Sequence, residues 1–172
     1  LEALEGMRVT VAGTLTVTDT FTLGRFGEVL LAADGPGNEP GTDARLDQFT
    51  QFHTPDASGN TAYLAQQVLR TVLLDDGSDD QNPTAVIGRD GQPLSASNTL
   101  RGGDTVDDLS GVLDQRFGTY RVQPTANVDF DAVNERSTTP PAVGGSIQVA
   151  SFNVLNFFNG PGFPTARGAS TA

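Results

Sequence analysis

At 172 residues the chain is the size of one domain, or of one domain with extensions, and can bury a core without staples. It has no cysteine, which excludes disulfides and thiolate metal sites, and no apolar run approaching the ~18 residues of a membrane-spanning helix. Its 21 acidic residues against 10 basic ones, all Arg, leave a net charge of −11 that opposes non-specific attraction to polyanions such as DNA. An acidic, Lys-free surface suits a marine or halotolerant extracellular setting, and the codon bias of a GC-rich genome produces the same composition. The chain opens at Leu1 without the charged segment and apolar run of a signal peptide, as a piece cut from a longer protein does. Gly 20 and Pro 10 point to many turns, as in an all-β domain with long connections.

In "MRVTVAGTLTVTD", residues 7–19, Met7, Val9 and Val11 alternate with Arg8 and Thr10, and Leu15 and Val17 resume the period after Gly13. This predicts a strand, a Gly bend or bulge, and a second extended piece. "FGEVLLAA", 26–33, is a second apolar run, and "TFTLGR" before it reads as a connection rather than a helix. Residues 34–59, rich in Gly, Pro, Asp and Thr, read as a long loop of the kind that is functional or mobile. A short helix is expected from about Thr61 to Gln67, capped by Asn60. "RTVLLDDGS" follows as a strand running into an Asp-Gly turn. Residues 79–99 are turn-rich. "DTVDDLSGVLDQRFGTYRVQPT", 104–125, predicts a hairpin joined at "RFG", with an irregularity at Gly111 and an end at Pro124. "NVDF" adds one short edge piece.

Residues 131–145 read as a linker stiffened by Pro140 and Pro141. Beyond them "GGSIQVASFNVLNFFNGPGF", 144–163, is the most apolar stretch of the chain. The expected fold is all-β: an OB-like Greek-key barrel with one short helix and long loops, plus a C-terminal extension. The expected organisation is a barrel over 1–130, a linker over 131–145, and a further piece over 146–172.

Taken in order, "LEALEGMRVTV", "LTVTDTFTLGRFGEVLLA", "TVLLDDGSDDQNP", "LRGGDTVDDLSGVLDQRFGTYRVQPT" and "GGSIQVASFNVLNFFN" resemble large secreted bacterial nucleases. In those proteins an OB-like domain precedes a catalytic domain of the endonuclease/exonuclease/phosphatase superfamily, the DNase I-like fold. The resemblance covers most of residues 1–158. It implies that 146–172 is the start of that catalytic domain, its first strand, which in the family lies inside a β-sandwich. It also implies that Asn153, at the family's "FN" position, helps organise a divalent-metal and phosphate site. The remaining metal and acid–base residues are not in this sequence. The implied metal, Mg²⁺ or Ca²⁺, therefore belongs to the catalytic domain, and no cofactor is expected for this chain itself. The implied location is extracellular or at the cell surface.

DNase I-like hydrolysis needs a His acting with an Asp, and a carboxylate-bound metal. The only histidine is His53, which reads as an exposed loop residue, so this chain is expected to be non-catalytic. Asp75, Asp76, Asp79 and Asp80 offer hard oxygens for Ca²⁺ without an EF-hand spacing; the simpler reading is a solvated acidic turn. Two Arg-Phe-Gly tripeptides supply the nucleic-acid candidates: Arg25 and Phe26 in the first, Arg116 and Phe117 in the second, with Tyr120 and Arg121 continuing it. Arg8, Arg70 and Arg101 are further candidates. The competing reading pairs the arginines with Asp114 or Glu28 and has the phenylalanines fill the barrel or cap a turn. The expected role is a non-catalytic accessory domain of a metal-dependent nuclease or phosphodiesterase, positioning single-stranded or duplex nucleic acid or bracing the downstream catalytic domain. The alternative is a structural or protein-interaction module without a nucleic-acid role. No membrane partner is expected.

Overall fold

Valine and leucine alternate with threonine over residues 9–18, and this pattern builds one long strand, β1 (Arg8–Asp19). The computed structural model describes residues 1–147 and 149–151, together with the backbone of 164–166 and 169–170. Leu1–Arg136 and Ser137–Ala172 form two compact units.

In the first unit β1 is followed by a one-turn helix α1 (Leu23–Phe26) and by β2 (Val29–Ala33). Two further helices, α2 (Phe49–Phe52) and α3 (Ala57–Leu69), precede β3 (Thr71–Leu74). After an irregular connection come β4 (Thr105–Arg116) and β5 (Thr119–Pro124). The strands close into a barrel in the order β1-β2-β3-β5-β4. β1 serves two neighbours, pairing with β4 from Arg8 to Thr16 and with β2 from Leu15 to Asp19. Its pairing with β4 is interrupted between Val11 and Thr14 by a bulge, where Gly13 takes φ +89° and its N–H donates to Asp108 Oδ1 at 2.8 Å. A short parallel seam, Leu73 against Arg121 and Leu74 against Val122, closes the barrel. The OB-like all-β reading is therefore the architecture observed.

Alternation along each strand sends one face inward. Leu15, Val17, Val29, Leu31, Leu74, Leu109, Leu113 and Val122 fill the barrel. Gly111 is the irregularity seen in the sequence, and its cause is steric. A Cβ there would lie 2.3 Å from the carbonyl oxygen of Gln123, so only Gly lets β4 cross β5 this closely.

Four expectations change. "LGRF" is a helical turn rather than a plain connection. α3 begins at Ala57, four residues before the expected start, because Asp56 rather than Asn60 caps it; its carboxylate accepts from the N–H groups of Ser58 and Gly59. Loop 34–48 is held in place by Arg70, which is 7% exposed. Its guanidinium donates to the carbonyls of Ala33, Ala44, Gly37 and Arg45, and Gln67 donates to Asp47 O. Residues 131–134, expected as the head of a linker, are packed on the barrel. Phe130 is 2% exposed in its core, Asp131 bridges Thr105, and the Asn134 amide donates to Gly102 O at 2.6 Å.

In the second unit the backbone of Pro164–Ala166 (β6) pairs antiparallel with that of Ala169–Ser170 (β7). Of the expected catalytic-domain strand, 147 and 149–151 are irregular in conformation, with Ile147 and Val149 exposed. Its remainder from residue 152, including Asn153, lies outside the described residues.

Candidate functional site

The two Arg-Phe-Gly tripeptides are 91 positions apart in sequence, yet they flank one cavity. In the first, Gly27 ends α1 with φ +72°, the left-handed cap that Gly adopts without penalty. The turn reverses the chain so that Phe26 and Glu28 border the cavity. Gly27 must also lack a side chain, since a Cβ would sit 2.1 Å from Asp76 Oδ2. In the second tripeptide, Phe117 and Gly118 are the two central residues of the β4–β5 turn, at φ +52° and +78°. Positive φ at both central positions marks the type I′ two-residue turn, which is usually Asn-Gly. Here it carries a phenylalanine that is 92% exposed.

The cavity between them has a volume of about 520 Å³ and is bordered by Phe26, Glu28, Asp75, Ser78–Gln81, Arg116, Phe117 and Arg121. Arg121 forms its floor. Alternation on β5 turns Val122 into the barrel and Arg121 outward, but the loop after β3 and the hairpin tip cover Arg121 to 4% exposure. Its Nη1 donates both to Glu28 Oε1 at 2.7 Å and to Asp75 Oδ2, and its Nη2 donates to Arg116 O. Its Nε–H is buried with no partner. Burial works against the charge on Arg121, but the hydrogen bonds to Asp75 and Glu28 outweigh it and hold its pKa above the ordinary value. The Phe117 ring lies 5.6 Å from the guanidinium. Arg116 is likewise engaged, with Asp79 and with Asp114 at 2.6 Å.

Carboxylates outnumber cations here. Glu28, Asp75, Asp79 and Asp80 line the cavity against Arg116 and Arg121. The crowding registers at Asp76 beside it. Burial, then the nearby charges of Asp75, Asp80 and Glu28, push its carboxyl above the usual range, although the N–H of Ser78 donates to it.

The structure thus brings Phe26, Arg116, Phe117 and Arg121 together. Arg25 stands at the margin, over the Phe26 ring at 5.0 Å and within 3.4 Å of Gln81 Oε1. Tyr120 points elsewhere, donating to Glu2 Oε2 at 2.8 Å. Arg70 is occupied in holding the loop, and neither Arg8 nor Arg101 borders the cavity. Of the arginines expected to pair with Asp114 or Glu28, Arg116 is found on Asp114 and Arg121 on Glu28; Phe117 caps a turn and fills no core. Asp75 and Asp79, expected as a solvated turn or calcium ligands, are the other partners of these arginines. Among the described residues no three carboxylate or histidine groups are gathered to hold a metal ion. His53 sits in the loop instead, 2.7 Å from Glu39 and stacked on Phe49.

Residues 1–135 match the model of a family described as a domain of unknown function (DUF8508). No curated protein and no solved structure matches the chain.

Proposed function

The chain belongs to the DUF8508 family, and we propose that it is a non-catalytic accessory domain that docks a protein surface through the cavity at its hairpin tip. The resemblance to secreted nucleases supplies the context: a metal-dependent nuclease or phosphodiesterase outside the cell, whose catalytic domain this barrel braces. One observation carries the docking reading. Both arginines that border the cavity are neutralised by carboxylates, while Phe117 beside them is almost fully exposed.

Nucleic-acid positioning requires cations that are free to meet phosphates. Arg116 and Arg121 are each shared between two carboxylates, and the whole chain carries −11. Both facts oppose approach of a polyanion. An exposed aromatic ring at a rim of charged groups is, by contrast, a common anchor of protein interfaces.

The test is fluorescence anisotropy with labelled single-stranded and duplex DNA at low salt. No binding is expected. Salt-sensitive binding lost in Arg116→Gln overturns the docking reading in favour of nucleic-acid positioning. The context is tested by sequencing the parent gene beyond residue 172. A Glu metal ligand followed by Asp and His motifs is expected, and their absence leaves an interaction module of another multidomain protein.

A further inference from the structure

The two halves of β1 differ in exposure although their sequence alternates alike. Leu15, Thr16 and Val17 lie between β2 and β4 and are buried. From Arg8 to Gly13 the strand has β4 on one side only, because β2 joins at Leu15, and among the described residues nothing pairs with its other edge. No residue of this half is buried. Arg8, Thr10, Ala12 and Gly13 are exposed, and Val9 and Val11 are only half-buried although they pack against the core. The carbonyl of Met7 accepts from the N–H of Leu113, so Met7, Val9 and Val11 turn their backbone groups toward β4. Alternation then leaves the N–H and C=O groups of Arg8, Thr10 and Ala12 on the open edge. Such a row recognises another extended backbone.

We propose that this edge takes the same edge of a second copy, so that two barrels join by antiparallel pairing of β1 with β1 about a two-fold axis at Thr10. In that register Arg8 falls opposite Ala12 of the second copy, and Val9 falls opposite Val11. The half-exposed valines then cover one another as cross-strand pairs. Charge fits the same register. Arg8 stands at one end of the edge. The carboxylates of Asp107 and Asp108 stand at the other, where the Thr14 hydroxyl donates to Asp107 and the Gly13 N–H donates to Asp108. Antiparallel pairing brings the Arg8 of each copy to the carboxylate end of the other, across the small side chain of Ala12. Residues 7–18 contain no Asp or Glu, so the paired strands add no carboxylate of their own to the contact between two chains of −11. The contact is only a few residues long, well below the ~800 Å² per partner of a stable interface, which makes the dimer a weak one. This inference is independent of the cavity at the hairpin tip.

Sedimentation of the full chain between about 1 µM and about 1 mM tests it. A monomer–dimer equilibrium is expected, with a dissociation constant on the order of 100 µM. Amide hydrogen exchange reads the register. As concentration rises, protection should increase at Arg8, Thr10 and Ala12 and stay unchanged at Val9 and Val11, whose N–H groups already face β4. Arg8→Glu sets carboxylate against carboxylate at both ends of the pair and should weaken the dimer roughly tenfold. Arg8 is exposed, so its melting temperature should not change. Thr10→Pro removes a donor from the open edge and should abolish the dimer. If that variant does not fold, Arg8→Glu and the exchange pattern decide. A chain that stays monomeric at about 1 mM overturns the proposal. So does a dimer that Arg8→Glu leaves unchanged, a dimer without the alternating protection, or full protection of Arg8, Thr10 and Ala12 already in the monomer.

Discussion

Phe117 occupies a backbone conformation that its side chain disfavours. Positive φ brings a Cβ against the neighbouring carbonyl, and a bulky residue has no local hydrogen bond to offset this. Local strain of this kind persists where surrounding structure imposes it, here the register of β4 and β5, Arg116 opposite Thr119. Phe117→Asn should therefore stabilise the domain by about 1 kcal/mol, measured by urea denaturation; a loss of stability would show that the ring contributes more to packing than its 92% exposure implies. Asp76 makes a second prediction. Its folded-state pKa lies above the ordinary 3.8, so the folded state binds this proton more tightly than the unfolded chain. The stability it adds is complete below the unfolded value and is lost as pH rises through the folded value. Asp76→Asn keeps the acceptor for the Ser78 N–H and removes the charge. The variant should be more stable than the parent at neutral pH, with the difference vanishing in acid. Melting curves across that range decide it.

Among the elements, the connection from β2 to β3 shows how a loop without sequence periodicity becomes ordered. Arg70 stands at the end of α3 and gathers four backbone carbonyls from residues 33–45. Three of these oxygens belong to the loop and the fourth, on Ala33, to the end of β2, and one planar guanidinium supplies several donors at once. Arg70→Met preserves the stem but leaves the carbonyls bare. It should cost about 3 kcal/mol and open residues 34–48 to limited proteolysis, while the β4–β5 hairpin stays protected. Uniform protection would mean that the contacts of Gln67 and of Glu39 with His53 suffice to hold the loop. The hairpin itself was readable in advance, because residues 104–125 contain two alternating runs around Arg-Phe-Gly. The start of α3 was not. "PDASGN" has the composition of a loop, and only the bonds from Ser58 and Gly59 to Asp56 turn it into a helical first turn.

At the scale of the whole molecule, the family match over residues 1–135 and the compact unit Leu1–Arg136 delimit nearly the same body. The barrel's core is completed from its own tail, since Val128 and Phe130 pack into it. A chain ending at Arg136 should therefore melt in one transition at the temperature of the full chain; a lower temperature would show that residues 137–172 support the barrel. A chain ending at Thr125 should not fold, because it lacks the 2%-exposed Phe130 of the core. The strands were legible because inward and outward side chains must alternate on a barrel wall, so Val9, Val11, Leu15 and Val17 declare themselves in sequence. Glycine at 13 and 111 declared irregularity without its cause. The sequence by itself determined an acidic, cysteine-free, all-β chain, its hairpin, and the pairs of residues that matter at Arg-Phe-Gly. Only the tertiary structure decided that the two tripeptides border one cavity, that Arg121 is its floor, and that Asp75 and Asp79 join Glu28 and Asp114 as carboxylate partners. Those contacts join residues as much as 93 positions apart, and such proximity comes from barrel closure, which leaves no periodic trace in the chain.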